Sequence, residues 1–389
     1  MGKIVLFIES NFSKRDFIRF GVKFFLKKKI NVEIFNVTPL TRPKYYKNYK
    51  SKDKFKYKDE KIFLKKDQVI SKIRELNSND IVIVFLGINP KTKFIIEALG
   101  EAKVKFGYYL FGFLPVPPKN ILEILRLSFF YPLSALYQLW HRIKIYKLNS
   151  LPPPNFICCA GKKTYLYYKN VNQFTKIIKI PSLDYDKYLE LKKIKNKKKR
   201  KKKEKYIVYI DSYLSHPDQL YEKYFPPEKM TNFKDYYDPI NNFFKQLKKH
   251  SNLKVKIATH PRSIYKKNPY NFGKLYEGQS AELIKDCQFV VAKASLAISY
   301  AVLFKKPIIF LLNDFWKYNT KREIIHVSNY FKQEPINITN LDNENFNFLK
   351  KRKINYLVYK NFTKDFLNNV NDSKKKYLSY EILLNNIIK

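Results

Sequence analysis

Short apolar runs recur along the first half of the chain and predict buried strands separated by helices. The runs are too short for independent helices and predict strands at 3–8, 31–37, 80–86, 103–110, 155–159 and 176–180. Helical segments are predicted at 14–29, 67–76 and 92–99, with Ser13 capping the first. The polar, Lys/Tyr-rich stretch 42–59 predicts a loop. Alternating strands and helices predict a parallel sheet.

The same alternation starts again in the second half. Strands are predicted at 205–210, 254–259, 288–292 and 307–312, and helices at 280–286 and 295–304. An almost pure Lys run between the halves predicts an exposed linker. The predicted fold class is therefore α/β, with two Rossmann-like domains facing across a cleft. The predicted boundaries are 1–190, a linker at 191–205, 206–330, and a helical region at 331–389 that can pack back on the first domain.

Composition limits the class of protein. The chain has 389 residues, 45% of them hydrophobic, and a formal net charge of +44, which places it among globular basic proteins. Only ten of its 77 basic residues are Arg, the side chain favoured for base and phosphate readout, which argues against nucleic acid as a partner. The Lys, Ile and Asn content is typical of A/T-rich coding. An anionic membrane face or an acidic glycan is the alternative reason for the charge.

Other features bear on location. The cysteines Cys158, Cys159 and Cys287 fit no metal spacing and no disulfide framework, which favours a reducing compartment. The first apolar run is too short for a signal peptide, and no stretch is long enough to span a bilayer, so we expect a cytoplasmic protein. Residues 120–146 are apolar around most of a helix and contain Pro132. They predict a core or interface helix pair or, alternatively, an element lying in a membrane surface.

Two of the five histidines precede proline. Proline keeps the residue before it extended, so the rings of His216 and His260 are expected to point in defined directions from strand ends. His260, Pro261 and Arg262 follow a strong strand, and ligands bind at the carboxyl ends of parallel strands. A histidine donor beside a guanidinium suits a phosphate-bearing ligand. The alternative is an ordinary turn.

Carboxylates at two strand ends are candidate catalytic bases. Asp211 follows the strand at 205–210, close to His216, and Glu9 ends the first strand. Asp211 can equally cap the following turn. Residues 184–186 read Asp-Tyr-Asp, the acidic signature of metal-dependent sugar transfer, but they lead directly into a helix and are interpreted as a hinge. No metal site is predicted.

The helix predicted at 295–304 offers a second phosphate contact. Ser295 and Ser299 lie at its start, where free N–H groups can bind a phosphate, with Lys293 beside them. Glu282 is either a capping-box partner of its helix or a ligand for a ribose hydroxyl. Gly-rich phosphate loops, a nucleophile elbow and zinc spacings are absent, which argues against dehydrogenases, P-loop ATPases, α/β-hydrolases and zinc enzymes.

The second half of the chain resembles glycosyltransferases of the GT-B fold. The resemblance rests on the strand followed by His260-Pro261 and on the later strand followed by Ser295 and the run KKPIIFL. Among these the chain resembles bacterial sialyltransferases and surface-polysaccharide transferases. The resemblance implies that His260, Pro261, Ser295 and Ser299 bind the nucleotide phosphate of a CMP-linked acidic sugar. The acid-acid-Gly motif of those sialyltransferases is absent, so Asp211 or Glu9 would have to replace its base.

The resemblance implies metal-independent, inverting transfer without a cofactor, to a bacterial surface glycan that is either free or lipid-linked at the inner membrane face. Three alternatives remain open. They are transfer of a polyol phosphate from a CDP-linked donor, epimerisation of a sugar nucleotide, and binding of nucleic acid or membrane without catalysis.

Overall fold

A computed structural model of the protein describes residues 2–115, 129, 151–164, 172–194, 204–212, 214, 232–341, 344–349, 353–371 and 376–387. The predictions for His216 and for nearly all of 120–146 lie outside the described residues. None of the helices in the described part of the chain is both long enough and apolar enough to cross a bilayer.

The first domain is built on a seven-stranded parallel sheet with the strand order β3-β2-β1-β4-β5-β6-β7. Its strands are β1 (Ile4–Ile8), β2 (Val32–Asn36), β3 (Glu60–Ile62), β4 (Ile81–Val84), β5 (Lys105–Leu110), β6 (Phe156–Cys159) and β7 (Lys176–Lys179). Its central strands are buried on both faces, because helices cover both sides of the sheet. A separate apolar cluster fills each side.

Short helices connect these strands. They are α1 (Lys14–Arg19), α2 (Val22–Lys27), α3 (Thr38–Thr41), α4 (Pro43–Asn48), α5 (Lys66–Arg74), α6 (Lys93–Glu101) and α7 (Leu183–Lys193). Ser13 caps α1 as predicted, because its Oγ accepts a hydrogen bond from the N–H of Asp16 at 3.1 Å.

The second domain contains a six-stranded parallel sheet with the order β10-β9-β8-β11-β12-β13. Its strands are β8 (Tyr206–Ile210), β9 (Lys254–Thr259), β10 (Gly273–Glu277), β11 (Val290–Ala292), β12 (Ile308–Leu312) and β13 (Ile336–Asn337). Its helices are α8 (Phe233–His250), α9 (Ser280–Asp286), α10 (Ile298–Leu303) and α11 (Tyr318–Tyr330). One large apolar cluster forms its core. The two sheets confirm the prediction of two Rossmann-like domains.

The C-terminal region joins both domains. It contains a 3₁₀ helix (Glu344–Leu349), α12 (Tyr356–Phe362), a π-helical turn (Thr363–Leu367) and α13 (Ser379–Ile387). Apolar side chains of α12 and the π-helical turn belong to the second core, whereas those of α13 belong to the first. The chain therefore returns to the first domain, and it passes so close to Gly161 that a Cβ there would lie 2.3 Å from the Asp365 carbonyl oxygen.

Four local predictions are corrected by the structure. The helix predicted at 14–29 breaks at Gly21, whose φ of +77° is left-handed and whose Cα lies against Tyr380 of α13. The loop predicted at 42–59 contains α4, which begins with Pro43 and buries Tyr45 completely. The linker predicted from residue 191 starts inside α7. Three edge strands, β3, β10 and β13, were not predicted, because edge strands carry polar side chains.

Helix α7 lies in the first half of the sequence but packs against the second domain. The ring of Tyr188 lies 5.1 Å from that of Phe304, and Lys187 forms a 2.8 Å ion pair with Glu282. The Nζ of Lys285 donates to the Leu191 carbonyl at 3.1 Å. These contacts join α7 to α9 and α10. Residues from 183 onward, which were predicted to belong to the first domain, therefore also pack against the second.

Candidate functional site

The site is described from the carboxyl ends of the strands, where parallel sheets bind ligands. In the first domain, β1 ends before Glu9 and β4 ends close to Gly87. In the second domain, β8 ends before Asp211, β9 before His260 and β11 before Lys293. The strand order reverses between β1 and β4 in one sheet and between β8 and β11 in the other, which is where a crevice opens.

His260 is held in a tight turn directly after β9. Its Nδ1 accepts a hydrogen bond from the backbone N–H of Arg262 at 3.1 Å, and its carbonyl accepts one from the N–H of Ser263 at 2.8 Å. In a neutral ring the proton must then be on Nε2, which becomes the donor. Pro261 lies exposed in the turn and keeps His260 extended. The turn therefore aims one N–H donor away from its own backbone.

Arg262 reaches from this turn to the first domain. Its guanidinium lies 5.7 Å from the centre of the Tyr45 ring, and the guanidinium of Arg42 lies 5.1 Å from the same ring. An Nη1 of Arg42 donates to the Glu9 carbonyl at 3.5 Å. A continuous row of side chains thus connects the His260 turn of the second domain with the end of β1.

Glu9 is half-buried at the end of β1. Its Oε1 accepts a hydrogen bond from the backbone N–H of Gly87 at 3.2 Å, which fixes the carboxylate at the point where the strand order reverses. This position is compatible with the predicted role of a base, because a base must reach an acceptor hydroxyl in the cleft.

Asp211 has a different environment. Its side chain is almost completely buried, and its two carboxylate oxygens accept hydrogen bonds from the hydroxyls of Tyr265 at 2.6 Å and Tyr270 at 2.7 Å. Both tyrosines belong to the segment between β9 and β10, so they enclose the Asp211 carboxylate from that segment. The geometry does not favour the role of a base acting on a substrate, which sequence reasoning had assigned to Asp211 as one alternative.

Lys293 is a buried basic residue directly after β11. It is 5% exposed, its Nζ donates to the Tyr236 hydroxyl, and its ammonium lies 4.4 Å from the Tyr236 ring and 4.6 Å from the Trp316 ring. Burial lowers the pKa of Lys293 to about 8, and the charge of Asp211 opposes this shift. The side chain therefore forms part of an enclosed polar group rather than the surface cation that its sequence neighbours suggest.

Ser295 and Ser299 do not form a helix cap together. Helix α10 begins at Ile298, so Ser295 lies in the preceding turn, where its Oγ accepts a hydrogen bond from the N–H of Ala297 at 3.4 Å. Ser299 is buried inside the helix and hydrogen bonds to Asp184 of α7, as does Tyr300. The Ser299 hydroxyl therefore already has the Asp184 carboxylate as a partner, and its phosphate contact stays a prediction.

The remaining candidates lie elsewhere. Glu282 binds Lys187, and the N-cap residue Gln279 makes no side-chain capping bond, so the proposed capping box is wrong. Asp184 and Asp186 contact different helices: Asp184 faces α10, and Asp186 accepts a hydrogen bond from the Ser379 N–H at 2.9 Å. Within the described ranges no cluster of three or more His, Cys, Asp or Glu side chains is placed to hold a metal ion.

Sequence reasoning missed Arg42 and Tyr45, because a Lys/Tyr-rich stretch was interpreted as a loop. A usable signal was present in the scarcity of arginine. Only ten of the 77 basic residues are Arg, so each Arg is a candidate for a contact that a Lys side chain would not make equally well.

No protein-family model matches the chain, and no curated protein matches it in sequence. Solved structures do match. The wall teichoic acid polymerase TagF has a TM-score of 0.56 at 14% identity, over 98% of this chain and 88% of that one. The UDP-GlcNAc 2-epimerase of Methanocaldococcus jannaschii has 0.52 at 11%, over 99% of both chains. S. aureus MnaA with UDP has 0.51 at 13%, over 100% and 96%. The similarity in structure, with two parallel-sheet domains across a cleft, shows that this chain has the GT-B fold.

Proposed function

We propose that the protein is a glycosyltransferase that moves a sugar from a nucleotide donor to a glycan acceptor. The donor binds in the crevice of the second domain, and the acceptor binds against the first. One observation carries this proposal: the row Arg262–Tyr45–Arg42 joins the His260 turn to Glu9 across the cleft. The residues proposed to bind the donor phosphate and the residue proposed as the base therefore belong to one row of contacts.

The chain's own cations stabilise the leaving nucleotide. The Nε2–H of His260 and the guanidinium of Arg262 provide charge-assisted hydrogen bonds to the phosphate as the glycosidic bond breaks. Ser295, in the turn before α10, supplies a further hydroxyl. Because fixed protein groups neutralise this charge, the transfer needs no metal ion.

Glu9 is the proposed general base. It takes the proton of the acceptor hydroxyl while that oxygen attacks the anomeric carbon from the side opposite the phosphate. One displacement of this kind inverts the anomeric centre. Asp211 instead supports the crevice from below, since both its oxygens are held by tyrosines.

The donor class proposed is a CMP-linked acidic sugar, on the resemblance to bacterial sialyltransferases. The acceptor proposed is a surface glycan, free or lipid-linked at the cytoplasmic face of the membrane, where a net charge of +44 would strengthen contact with anionic lipid. A second candidate is polyol-phosphate transfer from a CDP-linked donor. It is favoured by the similarity to TagF, a wall teichoic acid polymerase, over 98% of this chain.

The test is donor turnover by the purified full chain. CMP-N-acetylneuraminate, CDP-glycerol and UDP-N-acetylglucosamine are each incubated with the protein, and nucleotide release is measured by chromatography. Release of CMP from the acidic sugar supports the main proposal, and release from CDP-glycerol supports the second candidate. Conversion of the UDP sugar to its 2-epimer would identify an epimerase, and the absence of any turnover with tight, salt-sensitive oligonucleotide binding would overturn catalysis altogether.

Variants make the assay specific to the site. Glu9→Gln and His260→Ala should both reduce nucleotide release, the first through loss of the base and the second through loss of the phosphate donor. Glu75→Gln is the matched control, because Glu75 is exposed at the end of α5 and forms an ion pair with Lys72 of the same helix. Equal turnover by all three variants would contradict the site assignment.

A further inference from the structure

Two exposed aliphatic side chains lie at the end of the edge strand β3. Ile62 is 48% exposed and Leu64 is 64% exposed, whereas Phe63 between them is buried in the core of the first domain. This alternation of burial is that of an extended segment, in which Ile62 and Leu64 share one side. Exposed aliphatic side chains at a sheet edge favour aggregation, so a chain that keeps them is expected to cover them with a partner.

The register of the sheet places this pair at the edge of the cleft. Ile62 is aligned with Asn36 of β2, and Asn36 is aligned with Ile8 of β1, the residue before Glu9. Neighbouring strands are about 4.8 Å apart, so Ile62 lies about 10 Å from Ile8 at the same carboxyl edge of the sheet. Leu64 follows two residues later, beyond the end of the strand. The apolar pair therefore adjoins the side of the cleft that carries Glu9.

The segment after β3 is held in place by the first turn of α5. The backbone N–H groups of Leu64 and Lys65 both donate to the Oε1 of Gln68, at 3.2 and 3.1 Å. These two amides are thus satisfied within the chain, and Leu64 is presented to solvent in a fixed position. A segment of this kind can enter the interfacial region of a bilayer without exposing an unpaired amide at these positions.

Lysines surround the apolar pair. Lys65 and Lys66 follow it directly and are exposed, with Asp67 as the next residue along the chain. The connection 38–52, which includes α4 and follows β2 at the same edge of the sheet, has five basic residues and no acidic one. Aliphatic side chains among long cationic ones are complementary to a membrane that carries anionic lipid. The lysine stems cover apolar surface there while the ammonium groups contact lipid phosphates.

We propose that Ile62, Leu64 and the lysines around them form the surface with which this chain contacts an anionic membrane. Leu64 enters the headgroup region, and the lysines bind lipid phosphates. Because this surface adjoins the cleft, an acceptor carried by a lipid reaches Glu9 from the membrane side. That consequence rests on the proposed glycosyltransferase function, whereas the membrane contact itself does not.

The test measures how the full chain binds lipid vesicles by co-sedimentation. Phosphatidylcholine vesicles are compared with vesicles of phosphatidylcholine and phosphatidylglycerol in equal amounts. Leu64→Ser removes the apolar contact, and Leu357→Ser is its matched control, because Leu357 of α12 is 65% exposed. We expect the affinity for anionic vesicles to fall about tenfold in Leu64→Ser, the loss of one buried aliphatic side chain, and to stay unchanged in Leu357→Ser.

The charge of the surface is tested separately. Lys65→Gln/Lys66→Gln is compared with Lys245→Gln/Lys248→Gln, which removes two exposed lysines from α8. Both variants lower the net charge of +44 equally, so non-specific attraction to anionic lipid changes equally. We expect the first variant alone to lose about tenfold or more in affinity for anionic vesicles, because each lysine close to the lipid surface contributes about fivefold.

A fluorescent label reports where the membrane lies. The three cysteines of the chain are buried, so Leu64→Cys and Leu357→Cys can each be labelled selectively with an environment-sensitive dye. With anionic vesicles the emission should shift to the blue only for the label that replaces Leu64. Equal losses in the paired variants, an unshifted label at that position, or no vesicle binding by the native chain would overturn the membrane surface. Vesicle binding through this surface without turnover of any nucleotide sugar would support the surface and overturn the proposed function instead.

Discussion

The Tyr270 hydroxyl donates a 2.7 Å hydrogen bond to Asp211 from 59 residues along the chain. The Tyr265 hydroxyl donates a second hydrogen bond to the same carboxylate, and Lys293 lies nearby. These three side chains enclose Asp211, which directly follows the buried strand β8. The residue type and its place at a strand end are typical of a catalytic base, yet both carboxylate oxygens of Asp211 already accept hydrogen bonds from tyrosine hydroxyls. Glu9, at the equivalent place in the first domain, is only half-buried and accepts a hydrogen bond from the Gly87 N–H.

This difference predicts opposite behaviour for the two carboxylates. Glu9→Gln should reduce kcat about 100-fold or more, as expected for loss of a general base, without changing the Tm. Asp211→Asn should lower stability by about 1–3 kcal/mol, because two buried tyrosine hydroxyls lose their charged acceptor, while the folded protein keeps its turnover. Donor turnover and thermal unfolding measured on the same samples check this. A stable Asp211→Asn protein without activity would restore Asp211 as the base.

The orientation of His260 predicts its contribution to nucleotide binding. With Nδ1 occupied by the Arg262 N–H, only Nε2 can donate to a phosphate. His260→Ala should therefore raise the nucleotide Kd about tenfold, the loss of one charge-assisted hydrogen bond. Calorimetric titration measures this, with His326→Ala on α11 as the control. An unchanged Kd in the His260 variant would place the phosphate elsewhere.

Asp186 predicts how stability depends on pH. Burial raises its pKa to about 8, even though hydrogen bonds from Ser379 oppose the shift. Between pH 4 and 8 the folded protein then holds more protons than the unfolded chain, so this group makes stability fall as the pH rises. Asp186→Asn should remove that fall. At pH 8 the substitution should raise the free energy of unfolding by a few kcal/mol, the magnitude that corresponds to the pKa shift.

Chemical denaturation at pH 5 and pH 8 checks the Asp186 prediction. Asp238→Asn is the control, because Asp238 is exposed on α8. If Asp186→Asn is destabilised equally at both pH values, its carboxylate is charged in the fold and the prediction fails.

Lys293 and Asp211 should be coupled energetically, because each is a buried charge that influences the other. Lys293→Met alone leaves the Asp211 charge uncompensated and should cost more stability than it does in an Asp211→Asn background. A double-mutant cycle by urea denaturation should give a coupling energy of about 0.5–3 kcal/mol. Additive single effects would show that the two groups do not interact.

The fold was predictable because buried parallel strands leave a strong local signal. Runs such as Ile4–Ile8 are apolar without alternation, since helices cover both faces of the sheet. The helix break at Gly21 was not predictable, because its cause is the packing of Tyr380 from the far end of the chain. Helix α4 was missed because its apolar contribution is concentrated in one side chain, Tyr45, whose burial depends on the rest of the domain.

The sequence by itself determined two α/β units, the strand ends that carry Glu9, Asp211 and His260, and the scarcity of arginine. Periodicity and residue type are local properties, so a linear reading reaches them. Only the tertiary structure decided which of these side chains are enclosed and which face the cleft. It paired Ser299 with Asp184, enclosed Asp211 between tyrosines and brought Arg262 to Tyr45. Those outcomes depend on contacts between residues far apart in sequence, and such contacts form only when both domains and the returning C-terminal helix are in place.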